Sequence, residues 1–198
     1  MRIRVLLLCT LVGICFFSCG ESGSFTREER ERIGLSGEAG IMPLFLVTNS
    51  ADSLFLRLQA KELGREEMET ESFRVLKSRM LATVNDTLNQ GVGIAAPQVG
   101  ISRQLVAVQR LDKAGEPFEF YVNPEIIYYS KDTVIGQEGC LSIPDRAGEV
   151  YRSTEIIVRY RDELSFEWRQ DTVKEYTARI FQHEIDHLRG ILYTDYLP

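Results

Sequence analysis

The sequence predicts an α+β fold in which mainly antiparallel β-strands surround a buried C-terminal helix, with a second, amphipathic helix nearer the N-terminus. Three observations carry this. Phe73, Leu76, Met80, Val84 and Leu88 recur every three or four positions, the spacing of a helix face packed on a core. Short segments rich in β-branched and aromatic residues follow, with turn formers between them. Near the chain end Ile180, Phe181, Ile185 and Leu188 give a further helix a broad apolar surface.

The first segment stands apart from all of these. Arg2 and Arg4 make a short basic start, followed by the apolar run Val5 to Phe17 and then Ser18-Cys19-Gly20, the layout of an export signal. The run falls short of the roughly 20 apolar residues that a membrane-spanning helix needs. Cys19 resembles the lipid-attachment cysteine of bacterial lipoproteins, although Phe16 stands where that pattern prefers an aliphatic residue. The expected organisation is a signal peptide over 1–18, a lipid-anchored flexible tether over 19–40 and a catalytic domain over 41–198. The expected location is outside the cytoplasm, on a membrane through an anchor at Cys19; an unused signal would leave the protein cytoplasmic. Cleavage before Cys19 removes Arg2 and Arg4 but no acid, taking the formal charge from -6 to about -8. An acidic chain with no basic stripe offers nucleic acid no electrostatic footprint. Cys9 and Cys15 leave with the signal and Cys19 is acylated, so Cys140 is the one thiol left and has no disulfide partner.

From Phe73 the helix is expected to run to Leu88, with Asn89-Gln90-Gly91 ending it. The predicted strands are Gln104 to Val108, Phe118 to Val122, Ile126 to Ser130, Glu155 to Tyr160 and Leu164 to Trp168. Lys113-Ala114-Gly115, Asn123-Pro124 and Pro144-Asp145 read as turns. Thr172-Val173-Lys174-Glu175 has the form of a capping box opening the last helix, and Gly190 is a natural stop.

That helix contains His183-Glu184-Ile185-Asp186-His187, and these are the only 2 histidines of the 198 residues. A spacing of four sets both imidazoles one turn apart on one face, where they can share a metal ion, with Glu184 free to meet a water. A hydrolytic metal site takes three protein ligands and one open position. Downstream of His187 the only candidate for the third is Asp195; upstream stands Cys140, in Glu138-Gly139-Cys140-Leu141-Ser142. A Cys140, His183, His187 set accounts for the lone thiol.

Gly91-Val92-Gly93-Ile94-Ala95-Ala96-Pro97-Gln98, Glu138-Gly139-Cys140-Leu141-Ser142 and Gln182-His183-Glu184-Ile185-Asp186-His187, in that order, resemble the three motifs of the peptide deformylase family. Similarity continues through Val99-Gly100-Ile101, Val122-Asn123-Pro124-Glu125 and Ala178-Arg179, covering most of Ile41 to Leu197. The resemblance implies a metal-dependent hydrolase that removes the formyl group from N-formylmethionyl peptides or protein N-termini. It implies one divalent ion per chain, Fe2+ with Zn2+ or Ni2+ as substitutes. Glu184 would be the proton shuttle, and Gln98 and the backbone N–H of Leu141 the donors to the oxyanion. Val92, Gly93 and Ile94 would flank the formylmethionine. Tyr176 and Ile180 either line its side-chain pocket or belong to ordinary core packing. Two departures stand out: the family commonly has an arginine where this chain has Ala147, with Arg146 one place earlier, and a glycine near Glu175. Two competing readings are a helical zinc metallopeptidase, which leaves Cys140 idle, and an exported metal- or formyl-peptide-binding lipoprotein without turnover.

Overall fold

The computed structural model describes residues 24–34, 40–88 and 90–198. The expected signal segment, Cys19 and residues 20–23 and 35–39 of the expected tether lie outside the described residues, as does Asn89.

A five-stranded antiparallel sheet forms the centre. Its strands are β1 (Gly93–Ala95), β2 (Leu105–Gln109), β3 (Phe118–Tyr129), β6 (Glu155–Arg161) and β7 (Trp168–Lys174), in the order β1-β2-β3-β6-β7. A separate hairpin pairs β4 (Thr133–Cys140) with β5 (Ile143–Ser153). Side chains alternate between faces along a strand, and β2 uses both. Leu105 and Ala107 join a core with Phe73, Leu76, Met80 and Val84 of helix α4 (Glu71–Val84). Val106 and Val108 turn the other way, onto Ala178, Phe181 and Ile185 of helix α5 (Glu175–Leu188). The last helix is therefore wedged between the sheet and the β4–β5 hairpin, which buries the polar residues Thr177, Arg179, Gln182, Glu184, Asp186 and His187. Two short helices, α2 (Ser50–Leu56) and α3 (Arg65–Met68), precede α4. Among the described residues no helix is long and apolar enough to cross a membrane.

The tether expected over 19–40 does not hold for residues 24–34. They contain helix α1 (Arg27–Ile33), opened by a capping box of Thr26 and Glu29. Phe25 and Ile33 are buried in the main core. Arg103, itself buried, donates to Glu29 at 3.0 Å, to Glu67 at 2.9 Å and to the Ser24 carbonyl at 3.1 Å. A polar-looking sequence conceals this because the two apolar residues are eight apart and the acid that docks the helix has its partner far along the chain.

Other boundaries move for identifiable reasons. The helix α4 stops at Val84 with Asn85 as its cap, and Leu88 is 91% exposed, outside the apolar stripe. The two strands expected on either side of Asn123-Pro124 are one strand, bent there by a bulge with Asn123 at φ 48°. The Asn123 carboxamide pairs both with Leu63 N–H and with Leu63 C=O, each at 2.8 Å, which holds the bend. The strand placed at Leu164 to Trp168 is instead a turn, with Leu164 93% exposed, and β7 begins at Trp168. Thr172 lies inside β7 and cannot cap α5, whose N-cap is Lys174 without a side-chain bond. The β4–β5 hairpin was missed because its strands are interrupted by glycines and charges, and Pro144-Asp145 falls within β5.

Candidate active site

The helix α5 carries His183 and His187 with ring centroids 5.1 Å apart. Opposite them β4 ends at Cys140, where the register slips from Gly139–Ala147 to Cys140–Ile143. One donor atom from each of Cys140, His183 and His187 lies within 4.8 Å of the others, and Cys140 Sγ is 3.3 Å from His187 Nε2. The chemistry of this set fits one divalent ion: a soft thiolate and two imidazoles, with His187 buried and Cys140 and His183 facing the cleft. Burial holds the His187 pKa well below its ordinary value, which keeps that imidazole neutral and able to ligate. Burial also works against charge on His183, but Cys140 and Glu138 outweigh it and favour positive charge there.

Buried charge braces the ligands. Glu138 accepts from His183 Nδ1 at 3.0 Å, from Arg152 at 2.9 and 3.0 Å and from Arg179 at 2.8 Å. Burial alone would raise its pKa, but the bonds from His183 and Arg152 bring it down to about 2. Arg152 donates onward to Asp186 at 2.6 Å, and the Tyr196 hydroxyl donates to the same carboxylate at 3.0 Å. Such a partner fixes the tautomer and direction of a ligating imidazole. The Tyr193 ring stacks 6.1 Å from His183. Glu138 and Asp186 stand within the sequence motifs without an assigned role, and Arg152 lies outside the motifs. The available signal was Arg179, a cation on the apolar side of a helix, which demands a buried acid.

Glu184 is 4% exposed, and its Oε2 has no protein hydrogen-bond partner. A buried carboxylate oxygen left so needs a water or ligand to meet it. Desolvation raises its pKa to about 7, the range in which a carboxyl group can both take and return a proton. Gly93 makes room for it: a Cβ there would stand 2.5 Å from Glu184 Oε1 and 2.8 Å from its Cγ.

Gln98 sits in a short 3-10 turn (Ala96–Val99) directly after β1 and is 1% exposed. Its Oε1 accepts from Ala95 N–H at 2.8 Å, which turns Nε2 toward Cys140 Sγ at 3.5 Å and Ser142 Oγ at 3.4 Å. A donor is thereby aimed into the site. Leu141, next to the thiol, lines the same cleft of about 410 Å³.

Val92, Gly93, Tyr176 and Ile180 also line that cleft. Ile94 does not: its side chain is wholly buried in the core beside α4, as alternation along β1 requires. Tyr176 is 54% exposed at the rim, which removes core packing as its role, whereas Ile180 belongs both to the core and to the cleft wall. Arg146 lines the cleft from within β5. Asp195 is engaged elsewhere, bonded to Arg57 at 2.9 Å and to Leu192 N–H at 3.0 Å, so the third ligand of the metallopeptidase reading is not at the site.

Comparison with known proteins agrees with this geometry. The family model described as polypeptide deformylase matches residues 46–198. The peptide deformylase of Pseudothermotoga lettingae is 40% identical over 144 residues, 72% of this chain and 77% of that protein. The Met-Ala-Ser-bound crystal structure of class I type b peptide deformylase from Acinetobacter baumannii superposes with a TM-score of 0.69 at 33% identity, covering 80% of this chain and 99% of that one. The crystal structure of peptide deformylase from Thermotoga maritima gives a TM-score of 0.67 at 32% identity, covering 80% and 98%. Sequence match, fold and the clustered thiol and imidazoles converge: the chain belongs to the peptide deformylase family, the enzymes that remove N-formyl groups.

Proposed function

We propose that the chain hydrolyses N-formylmethionyl peptides with Cys140, His183 and His187 holding the ion, Glu184 moving the proton, and Gln98 with the Leu141 N–H stabilising the oxyanion. The observation that carries this reading is Glu184: buried, with one oxygen unpartnered, and lodged against the missing side chain of Gly93 beside the thiol and imidazoles. Peptide deformylases use a single metal ion. When bound, it supplies a Lewis acid that brings the pKa of water toward about 7.

The residues do the rest. Glu184 takes a proton from the attacking water, whose oxygen adds to the formyl carbon. Negative charge on the former carbonyl oxygen is met by Gln98 Nε2 and Leu141 N–H, dipoles in place before the reaction and costing no rearrangement. The C–N bond then breaks, Glu184 returns the proton to the departing amine, and formate leaves. Val92, Gly93, Tyr176 and Ile180 flank the methionine. The complex of the A. baumannii enzyme with Met-Ala-Ser supports a peptide in the corresponding cleft.

The thiolate and imidazole donors suit several divalent ions, and family likeness points to Fe2+, with Zn2+ and Ni2+ as substitutes. The basic start, the apolar run and Cys19 support an exported lipoprotein acting on formylated peptides or N-termini outside the cytoplasm. In that more oxygenated setting zinc is easier to retain than ferrous iron.

Formate release from formyl-Met-Ala-Ser tests the activity, with ferrous protein prepared without oxygen beside zinc- and nickel-loaded samples. Turnover is expected with each ion. Bound metal with no turnover in any sample would support the binding-protein reading instead. Location is tested by fractionation: full-length protein in the cytosolic fraction would overturn the anchor.

A further inference from the structure

The turn that carries Gln98 is braced from behind by the chain's N-terminal part. Phe45 N–H donates to the Gln98 carbonyl at 2.7 Å, and two residues on Val47 N–H donates to the Ser142 carbonyl at 3.0 Å. Phe45 thus holds the backbone of Gln98 directly, while Val47 holds the Ser142 carbonyl, two peptide units beyond the Leu141 N–H.

Phe45 is itself fixed on three sides. The Arg32 guanidinium lies 4.6 Å from its ring centroid, and Phe55 meets it edge-on at 5.0 Å. Gly100, the left-handed C-cap of the Gln98 turn at φ 75°, lies beneath; a Cβ there would stand 2.6 Å from Phe45 Cζ and 2.9 Å from Arg32 Nε. Only glycine lets ring and guanidinium come so close to the turn. Arg32 belongs to α1, which is locked to the body by Arg103 and by Arg79, whose guanidinium bonds the Ile33 carbonyl at 2.7 Å and the Gly40 carbonyl at 3.1 Å. The family match begins at residue 46, so α1 and Phe45 lie outside it.

We propose that α1 is a positioning element of the oxyanion pocket, acting through Arg32 and Phe45 on the placement of Gln98. This rests on the reading of Gln98 and the Leu141 N–H as oxyanion donors. Displacements of about 1 Å in such donors are enough to change rates by up to about a hundredfold. Loss of a supporting contact belongs lower on that scale.

The test is a double-mutant cycle on the full protein, with Arg32→Ala and Phe45→Leu each made alone and with Gln98→Ala. The expected result is a fall in kcat of about threefold for Arg32→Ala and about tenfold for Phe45→Leu, with KM and metal content unchanged. Both effects should vanish once Gln98 is alanine, and Arg32→Lys should recover most of the rate. An unchanged kcat, an equal loss in the Gln98→Ala background, or a loss tracking metal content would overturn the proposal. Arg32 is exposed, so its variants remain informative if Phe45→Leu does not fold. If Gln98→Ala alone left kcat intact, the oxyanion reading would fail, a result distinct from additivity.

Discussion

The two walls of the cleft are held by different forces. The wall made by β4 and α5 is fixed by buried charge: Glu138 gathers His183, Arg152 and Arg179, and Arg152 extends the network to Asp186. The facing wall, β1 and the Gln98 turn, makes no ion pair among the described residues; neutral bonds from Ala95 and Phe45 and close packing at Gly93 and Gly100 set its shape. The difference follows from the task. Ligands for a cation concentrate negative charge, which must be balanced and oriented, whereas an oxyanion site needs only dipoles aimed at one point. Damage to the first wall should therefore appear in metal binding, stability and pH response, and damage to the second in rate alone.

Cys140→Ala should give the largest effect, loss of the bound ion and of formate release together, read by metal analysis on folded protein. Retention of one ion per chain would show that the thiol is idle. Gln98→Ala should keep its metal while kcat falls by about 10² to 10³; a metal deficit there would erase the contrast between the walls.

Glu138→Gln should lower metal affinity by about 10- to 100-fold and change the acid response. The Glu138 pKa is about 2, below its ordinary 4.5, so its stabilising contribution is complete above pH 4.5 and lost as pH falls toward 2. Thermal melts across that window should decline less steeply for Glu138→Gln than for wild type. Equal slopes would remove Glu138 as the acid-sensitive group. The smallest effect lies at the start of α5, away from the ligands. Glu175 opens α5 at φ 55°, a left-handed conformation that costs an ordinary residue about 1 kcal/mol. Glu175→Gly should raise stability by about that amount and leave kcat unaltered, as seen by denaturant unfolding beside formate assays.

Much of the metal wall was legible in sequence because its ligands sit at helical spacing or are the one cysteine among the described residues. The glycine usual near Glu175 in the family also finds its reason in the backbone angle. What escaped was everything decided by distant partners. Residues 24–34 read as tether because Glu29 meets Arg103 only in the fold, and the β4–β5 hairpin hides because Glu138 and Arg152 break the apolar alternation that marks a strand. Ile94 stands beside Gly93 in the same motif, and a strand's period of two sends its side chain to the opposite face, into the core.

The most direct test of the account is formate release by wild type and Glu184→Gln, each with its bound metal counted. The account predicts one ion per chain in both, turnover in the first and a loss on the order of 10² to 10⁴ in the second. Equal turnover in the two proteins would contradict it.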